Sequence, residues 1–388
     1  MIFDDLEQNL AILDHQHLRR HRRVVDTPAG PRLTADGRPL LAFASNDYLG
    51  LANHPLIVAA LGAGAQQWGA GSGASHLVGG HLRPHEQLEE RIAEFVGLPR
   101  ALTFSTGYMA NLAVAPALVG RGDAIFADKL NHASLIDAAI ASRAEHKRYA
   151  HNDVDALEKL LAVSTAKRKL ILTDAVFSMD GDLAPLPQLF ALAEKYDAWL
   201  VVDDAHGFGV LGDSGRGSLA HFALPASPRI VLMGTFGKAA GVAGAFVAGA
   251  ARVIEWLMNS ARSYIYTTAA PPAVACAVLK SIELIEAGDA LRSRLRQRIE
   301  QLRVGLAPLA AAHGWRQAAS PSAIQPLIVG DNKAALDLAA TLEVRRLWVP
   351  AIRPPTVPLG TARLRISLSA AHSAADVDAL LTALKEAA

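Results

Sequence analysis

The sequence predicts an α/β fold: a large domain carrying a mostly parallel sheet, and a smaller α+β domain made from the C-terminus. Three observations lead there. Between residues 100 and 250, short apolar runs alternate with helical or loop segments, the pattern of strands joined by crossovers. The runs are continuous rather than alternating, as strands covered on both faces require. Polar, chemically capable residues follow several runs directly, where open α/β sheets bind their ligands.

The elements follow in order. The stretch to about residue 30 reads as a helix ending in the basic cluster "LRRHRR", charges that suit a helix C-terminus. From about residue 40 the chain becomes small and glycine-rich. "SNDYLGL" and "WGAGSGASHLVGGH" read as loops, the second without the G-x-G-x-x-G spacing of a dinucleotide site. "PHEQLEERIAEFVG" reads as a helix, with Pro84 near its start, acids early and Gly97 at its stop. The strand candidates are "ALTFST", "AIFAD", "KLILTD", "AWLVVDD", "RIVLMGT" and "GAFVAG". Beyond Pro271-Pro272 a long helical region runs to about Gly314, with a break near Gly288. "IQPLIVG" and "RLRISLS" are two further strands, each followed by a helical pattern. The expected organisation is an N-terminal helix and arm over 1–45, a cofactor-binding α/β domain over 46–275 and a small domain over 276–388, which the N-terminal segment can join.

Composition narrows the function. The 388 residues suffice for two cores. A net charge of +1 gives no reason to expect a nucleic-acid or membrane partner. Cys276 is the only cysteine, which excludes an internal disulfide and a cysteine-rich zinc site and fits a reducing, cytoplasmic setting. The acidic N-terminus lacks the basic start and apolar core of a signal peptide.

The chemistry gathers at the strand ends. "ALTFST" leads into Gly107-Tyr108 and a helical run, where a glycine turn presents backbone N–H groups to an anion. "KLILTD" is followed by Ser178, "WLVVDD" ends in Asp203-Asp204-Ala205-His206, "RIVLMGT" ends in Thr235 and leads to Lys238, and His132 stands before a helix. Each alone has a structural use as a cap, a turn or a surface charge. Together they match what pyridoxal phosphate requires: a lysine for its aldehyde, a carboxylate for its ring nitrogen and N–H groups for its phosphate. On this reading Lys238 is buried because its amine must be reactive.

With those residues the chain resembles the α-oxoamine synthases, pyridoxal-phosphate enzymes of the aspartate-aminotransferase fold (fold type I). The resemblance runs nearly end to end, on "SNDYLGL", "GSGASHLVGG", "FSTGYMAN", "NHASLIDA", "FSMDGDLAPL", "VDDAHGFGVLG" and "TFGKAAG". It implies that Lys238 holds the cofactor, Asp203 pairs with the pyridine nitrogen, His206 bonds the ring hydroxyl and His132 stacks on the ring near the substrate. It implies cofactor and phosphate contacts for Gly107, Tyr108, Ser178 and Thr235. Arg365 would take the amino-acid carboxylate, Thr356 a substrate contact, and Arg20 the acyl substrate, with Arg22 and Arg23 as alternates. "SAIQPLIVGDN" and "AIRPPTVPLGTARLRISLSAAH" point to the branch that condenses L-alanine with a pimeloyl thioester, carried by coenzyme A or acyl carrier protein, in biotin biosynthesis. A homodimer is implied, with Thr267 or Thr268 of "YIYTTAAPP" reaching the other subunit's phosphate. Open alternatives are a glycine-using relative such as glycine C-acetyltransferase, an aminotransferase, and a non-catalytic phosphate- or acyl-carrier-binding module. A lysine at the cofactor carbon argues against the last.

Overall fold

Before residue 50 the chain makes a helix, an arm and a hairpin. The computed structural model describes residues 2–387, so Met1 and Ala388, the ends of the expected arm and small domain, lie outside the described residues. The helix Ile2–His15 stops sooner than expected. His17 takes a φ of 56°, and the Leu18 N–H turns back to the Leu13 carbonyl at 2.7 Å, closing the helix. "LRRHRR" is therefore irregular chain beyond the helix rather than a helix end. Two of its arginines find acids: Arg19 pairs with Asp14, and Arg23 with Asp36 and Glu343. Strands β1 (Arg32–Ala35) and β2 (Arg38–Ala42) then pair antiparallel. They turn at Asp36-Gly37, where both residues have positive φ, as a two-residue hairpin demands.

The apolar runs form the large sheet. Its strands are β3 (Arg100–Phe104), β4 (Ala124–Asp128), β5 (Glu145–Tyr149), β6 (Lys169–Asp174), β7 (Ala198–Asp203), β8 (Ile230–Thr235) and β9 (Ala245–Gly249), in the order β3-β9-β8-β7-β6-β4-β5. Six of the seven strands run in one direction, and β9 alone is antiparallel, to both β8 and β3. Every residue of β4, β8 and β9 is buried, which is why no polar alternation marks them. β5, "EHKRY", escaped the sequence reading because it is a polar edge strand. The helix Arg83–Val96 has Pro84 in its first turn and ends at Gly97, with φ 71°, as the sequence predicts.

The larger of two units comprises Leu49–Ser178 and Leu183–Arg292. The smaller gathers the residues up to Tyr48, Met179–Asp182 and those from Ser293 on. This differs from the expected boundary at 275/276. That boundary would cut the helix Pro272–Glu286, which packs on helices Pro55–Trp68 and Arg83–Val96. The approach is close: a Cβ on Gly64 would lie 2.9 Å from Cys276. Residues 276–292 therefore belong to the large unit, and the N-terminal arm belongs to the small one.

In the small unit β10 (Arg316–Gln317), β11 (Ile324–Gly330), β12 (Leu347–Trp348), β13 (Ala351–Ile352) and β14 (Ala362–Ser367) follow. Four form an antiparallel sheet in the order β10-β11-β14-β13, while β12 adds to β2. Helices Asn332–Val344 and Ala374–Glu386 follow the two expected strands. Among the described residues no helix is long and apolar enough to cross a membrane.

Candidate active site

In the large unit β6 ends at Asp174 and β7 at Asp203, paired in register and both buried. Asp203 Oδ2 accepts from Asn111 Nδ2 at 2.7 Å, and Oδ1 accepts from the Ala205 N–H at 3.0 Å. A carboxylate can accept further bonds beyond these two. Its neighbour Asp204 has a different task. It accepts the Ser218 N–H at 2.8 Å and the Ser218 hydroxyl. Gly207 and Gly217 make room for it, since a Cβ on either would fall 2.1 Å from an Asp204 oxygen. Burial pushes the Asp204 pKa up to about 7; the Ser218 bonds oppose this, and the Asp203 charge adds to it. Of the two acids, Asp204 braces a loop and Asp203 faces the histidine and lysine described next.

Beyond β8 the chain makes a tight turn. Gly241 N–H bonds the Lys238 carbonyl at 2.8 Å, and Val242 N–H bonds the Phe236 carbonyl at 2.8 Å. Lys238 rides on this turn with Nζ 2.9 Å from His206 Nε2. Lys238 is half-buried rather than buried. It is the flanking Phe236, Ala239 and Ala240 that are fully enclosed, because they anchor the turn while the amine needs an open side. Thr235 is engaged within the turn: its hydroxyl donates to the Gly244 carbonyl at 3.0 Å and accepts the Gly237 N–H at 3.2 Å. Ser178 is half-buried just beyond the end of β6.

His132 caps the helix Ala133–Ser142. Its ring is exposed as a whole, but its Nδ1 edge meets Ser134 Oγ at 2.7 Å and the Ser134 N–H at 3.3 Å. Its backbone N–H donates to Asp174 Oδ2 at 2.7 Å. Desolvation lowers the His132 pKa; Asp203 works against this and Lys238 with it, and the net change is downward. The Asp203 and Lys238 charges thus both reach the His132 ring. Burial, and secondarily the Asp203 charge, holds Asp174 well above the usual carboxylate range. At the end of β3, Thr106 Oγ1 caps the helix Gly107–Leu118 by accepting the Met109 N–H at 3.2 Å. The Gly107 and Tyr108 N–H groups, first in that helix, have no intrahelical acceptor. The exposed Tyr108 hydroxyl bonds Asp137.

The predicted substrate residues Arg20, Thr356 and Arg365 lie in the small unit. Arg365 is buried on β14, with Nη1 2.7 Å from Ser367 Oγ and both Nη atoms 3.2 Å from Asn46 Oδ1. Arg20 Nη2 donates to Thr356 Oγ1 at 3.1 Å, so two residues expected to serve the substrate touch each other. This favours Arg20 over Arg23, which is already paired with acids. Arg353 donates to the His17 carbonyl. Its pKa is lowered by desolvation and by the Arg20 charge.

The sequence reading missed Asn111, Ser134, Asp174, Arg353 and Asn46. All but Asp174 lie inside the motifs that carry the resemblance, in "FSTGYMAN", "NHASLIDA", "AIRPPTVP" and "SNDYLGL". Asp174 closes the strand run "KLILTD".

Residues 38–384 match the family model for aminotransferase class I and II. The chain is 67% identical to the 8-amino-7-oxononanoate synthase of Dechloromonas aromatica, over 100% of both chains. It is 62% identical to the protein of the same name from Herminiimonas arsenicoxydans, again over 100% of both. Among solved structures, a serine palmitoyltransferase variant from S. paucimobilis, holding PLP joined to myriocin, superposes with a TM-score of 0.91. That protein is 30% identical, and the match covers 99% of this chain and 97% of the other.

Proposed function

The chain belongs to the aminotransferase class I and II family and, within it, to the 8-amino-7-oxononanoate synthases, and on that premise we propose that it condenses L-alanine with a pimeloyl thioester, releasing carbon dioxide and the thiol carrier. The product is the 8-amino-7-oxononanoate of biotin biosynthesis. The carrier is coenzyme A or acyl carrier protein, and the setting is cytoplasmic.

Pyridoxal 5'-phosphate is the cofactor, and the donor set fits it. A buried carboxylate with accepting capacity, Asp203, suits a protonated ring nitrogen. The Gly107 and Tyr108 N–H groups suit a phosphate, with Ser178 and Thr235 beside them; Thr235 would exchange its bond to Gly244 for this. When bound, the cofactor supplies an aldehyde for Lys238 and a ring that takes up the electron pair released at the substrate's α-carbon.

The protein's part is positioning and proton transfer. Lys238 Nζ would hold the cofactor through its aldehyde and, once released, would take the substrate's α-proton and later return one. Asp203 keeps the ring nitrogen protonated by its charge. His206, bonded to Nζ at 2.9 Å, serves the ring hydroxyl. His132 would lie against the ring and would donate from Nε2 to the acyl oxygen as negative charge develops there. Arg365 binds the amino-acid carboxylate through its planar fork. Arg20 and Thr356 receive the far end of the acyl chain.

The active unit is a homodimer, in which Thr267 or Thr268 of one protomer reaches the phosphate held by its partner. This rests on the loop's construction. Ala269 N–H bonds the Ala74 carbonyl at 3.0 Å, and Ser72 Oγ and His85 Nε2 both bond the Ala270 carbonyl, at 2.6 and 2.8 Å. The pinned loop leaves Thr268 exposed.

The observation that carries the reading is Lys238 Nζ on His206 Nε2, in electrostatic reach of His132 together with Asp203. A panel of amino acids against acyl thioesters, scored for carbon dioxide and free thiol, tests it. Alanine with pimeloyl thioester is expected to be fastest, and Lys238→Ala to lose both turnover and the borohydride-sensitive visible band. Faster turnover with glycine and an acetyl thioester would overturn it.

A further inference from the structure

The bonds around His132 have fixed directions. The atom of Asn111 that lies 2.7 Å from Asp203 Oδ2 is its amide nitrogen, which donates to that carboxylate. The same nitrogen lies 2.8 Å from Ser134 Oγ. Its two protons go to these two acceptors. Ser134 Oγ therefore receives a proton from Asn111 and must direct its own elsewhere. The atom left to receive it is His132 Nδ1, at 2.7 Å. The Ser134 backbone N–H, a donor that cannot be reversed, also points at Nδ1, at 3.3 Å. Nδ1 thus accepts twice and carries no proton, so the ring proton sits on Nε2. Asn111 and Ser134 are each 1% exposed, so water does not compete for these bonds. Asn111 Oδ1 is buried without a hydrogen-bond partner. Flipping the amide would turn that oxygen against the Asp203 carboxylate, so the unsatisfied atom is tolerated rather than corrected.

We propose that Asn111 and Ser134 are positioning residues that lock His132 in its Nε2–H tautomer and tie it to Asp203. The group holding the ring nitrogen and the group donating to the acyl oxygen are then oriented by one relay, Asp203–Asn111–Ser134–His132. Asp174, through the His132 backbone N–H at 2.7 Å, fixes the other side of the same residue. The inference rests on the reading of His132 as the donor to the acyl oxygen, but the tautomer is measurable without turnover.

The test is nitrogen NMR of the holoenzyme labelled with [15N]histidine, with His132→Gln to assign the ring signals. The wild type is expected to show an unprotonated His132 Nδ1 and a protonated Nε2. Ser134→Ala should move both signals toward a tautomer average and lower kcat ~10-fold, the scale of one lost orienting hydrogen bond, while the KM for alanine holds. Ser134→Thr, which keeps the hydroxyl, should restore the wild-type signals. Asn111→Asp has at most one proton, which it would share with Asp203 at 2.7 Å, so it can no longer donate to Ser134 Oγ; it should draw the Ser134 proton away from His132 and give the same spectral change as Ser134→Ala. A wild-type spectrum with the proton on Nδ1 overturns the proposal outright, whatever the enzyme's substrates prove to be. So does a Ser134→Ala protein with the wild-type signals, even with reduced kcat, because Ser134 would then act by another route. Unaltered signals in Asn111→Asp would remove Asn111 from the relay. If Ser134→Ala fails to fold, the wild-type and Ser134→Thr spectra still decide.

Discussion

Asp203 and Asp204 are adjacent acids, and their replacement by asparagine should fail in different ways. In Asp204→Asn the amide oxygen still accepts the Ser218 N–H and the amide nitrogen donates to Ser218 Oγ, so the loop keeps both bonds. What changes is the proton balance. The folded pKa of Asp204 is about 7 against a reference of 3.8. A raised carboxyl pKa means that the folded state holds a proton the unfolded state has released. Its contribution is fully present below about pH 4 and is lost as pH rises toward 7. At about 1.4 kcal/mol per pKa unit, wild type should lose ~4 kcal/mol of stability through this group across that window. Glu89, buried and also pushed up to about 7, works in the same direction. His76, lowered to about 3 by burial and by the neighbouring His85 and His81, works against them. The difference curve between wild type and Asp204→Asn isolates Asp204. Urea denaturation at pH 4, 5.5 and 7.5 should show the variant gaining on wild type by that amount as pH rises. Asp203→Asn should fail in catalysis instead. It should bind cofactor yet lose about a thousandfold or more in turnover, several kcal/mol of barrier. A pH-independent difference for Asp204→Asn would refute its assignment as a buried, protonated brace. A loss under tenfold in Asp203→Asn would show that Asp203 does not hold the ring nitrogen.

Two further outcomes are expected. Arg20→Ala and Arg353→Ala should each raise the KM for pimeloyl thioester ~10-fold or more, the scale of a lost charge-assisted bond, with the alanine KM nearly unchanged; steady-state kinetics at varied thioester checks this, and unchanged values in both would leave the pair a structural contact. Light scattering should find a dimer at catalytic concentration, and Thr268→Val should weaken cofactor retention, read by dialysis against a cofactor-free buffer; a fully active monomer would contradict the shared phosphate site.

Much of the site was legible in the chain because strand ends in a parallel sheet are ligand ends, and Asp203, His206, Thr235 and Lys238 follow runs that can only be buried strands. Pro84 and Gly97 marked a helix for local reasons of backbone geometry, and the structure keeps it. Local rules reached less far elsewhere. "EHKRY" pairs as an edge strand only because β4 offers it a partner. The basic cluster lies beyond the helix, and its Arg23 pairs with Asp36 and Glu343, partners that only the folded chain brings to it. Which of two adjacent aspartates braces a loop depended on Ser218, fourteen residues downstream of Asp204. The proton on His132 depended on Asn111, which no neighbour in sequence could orient. Residue type and period determined which groups the chain carries and where its strands end. Hydrogen-bond direction and burial depend on residues that meet only when the chain is folded, and so the tertiary structure alone decided which acid braces a loop, which arginine is already paired and which way His132 points its proton.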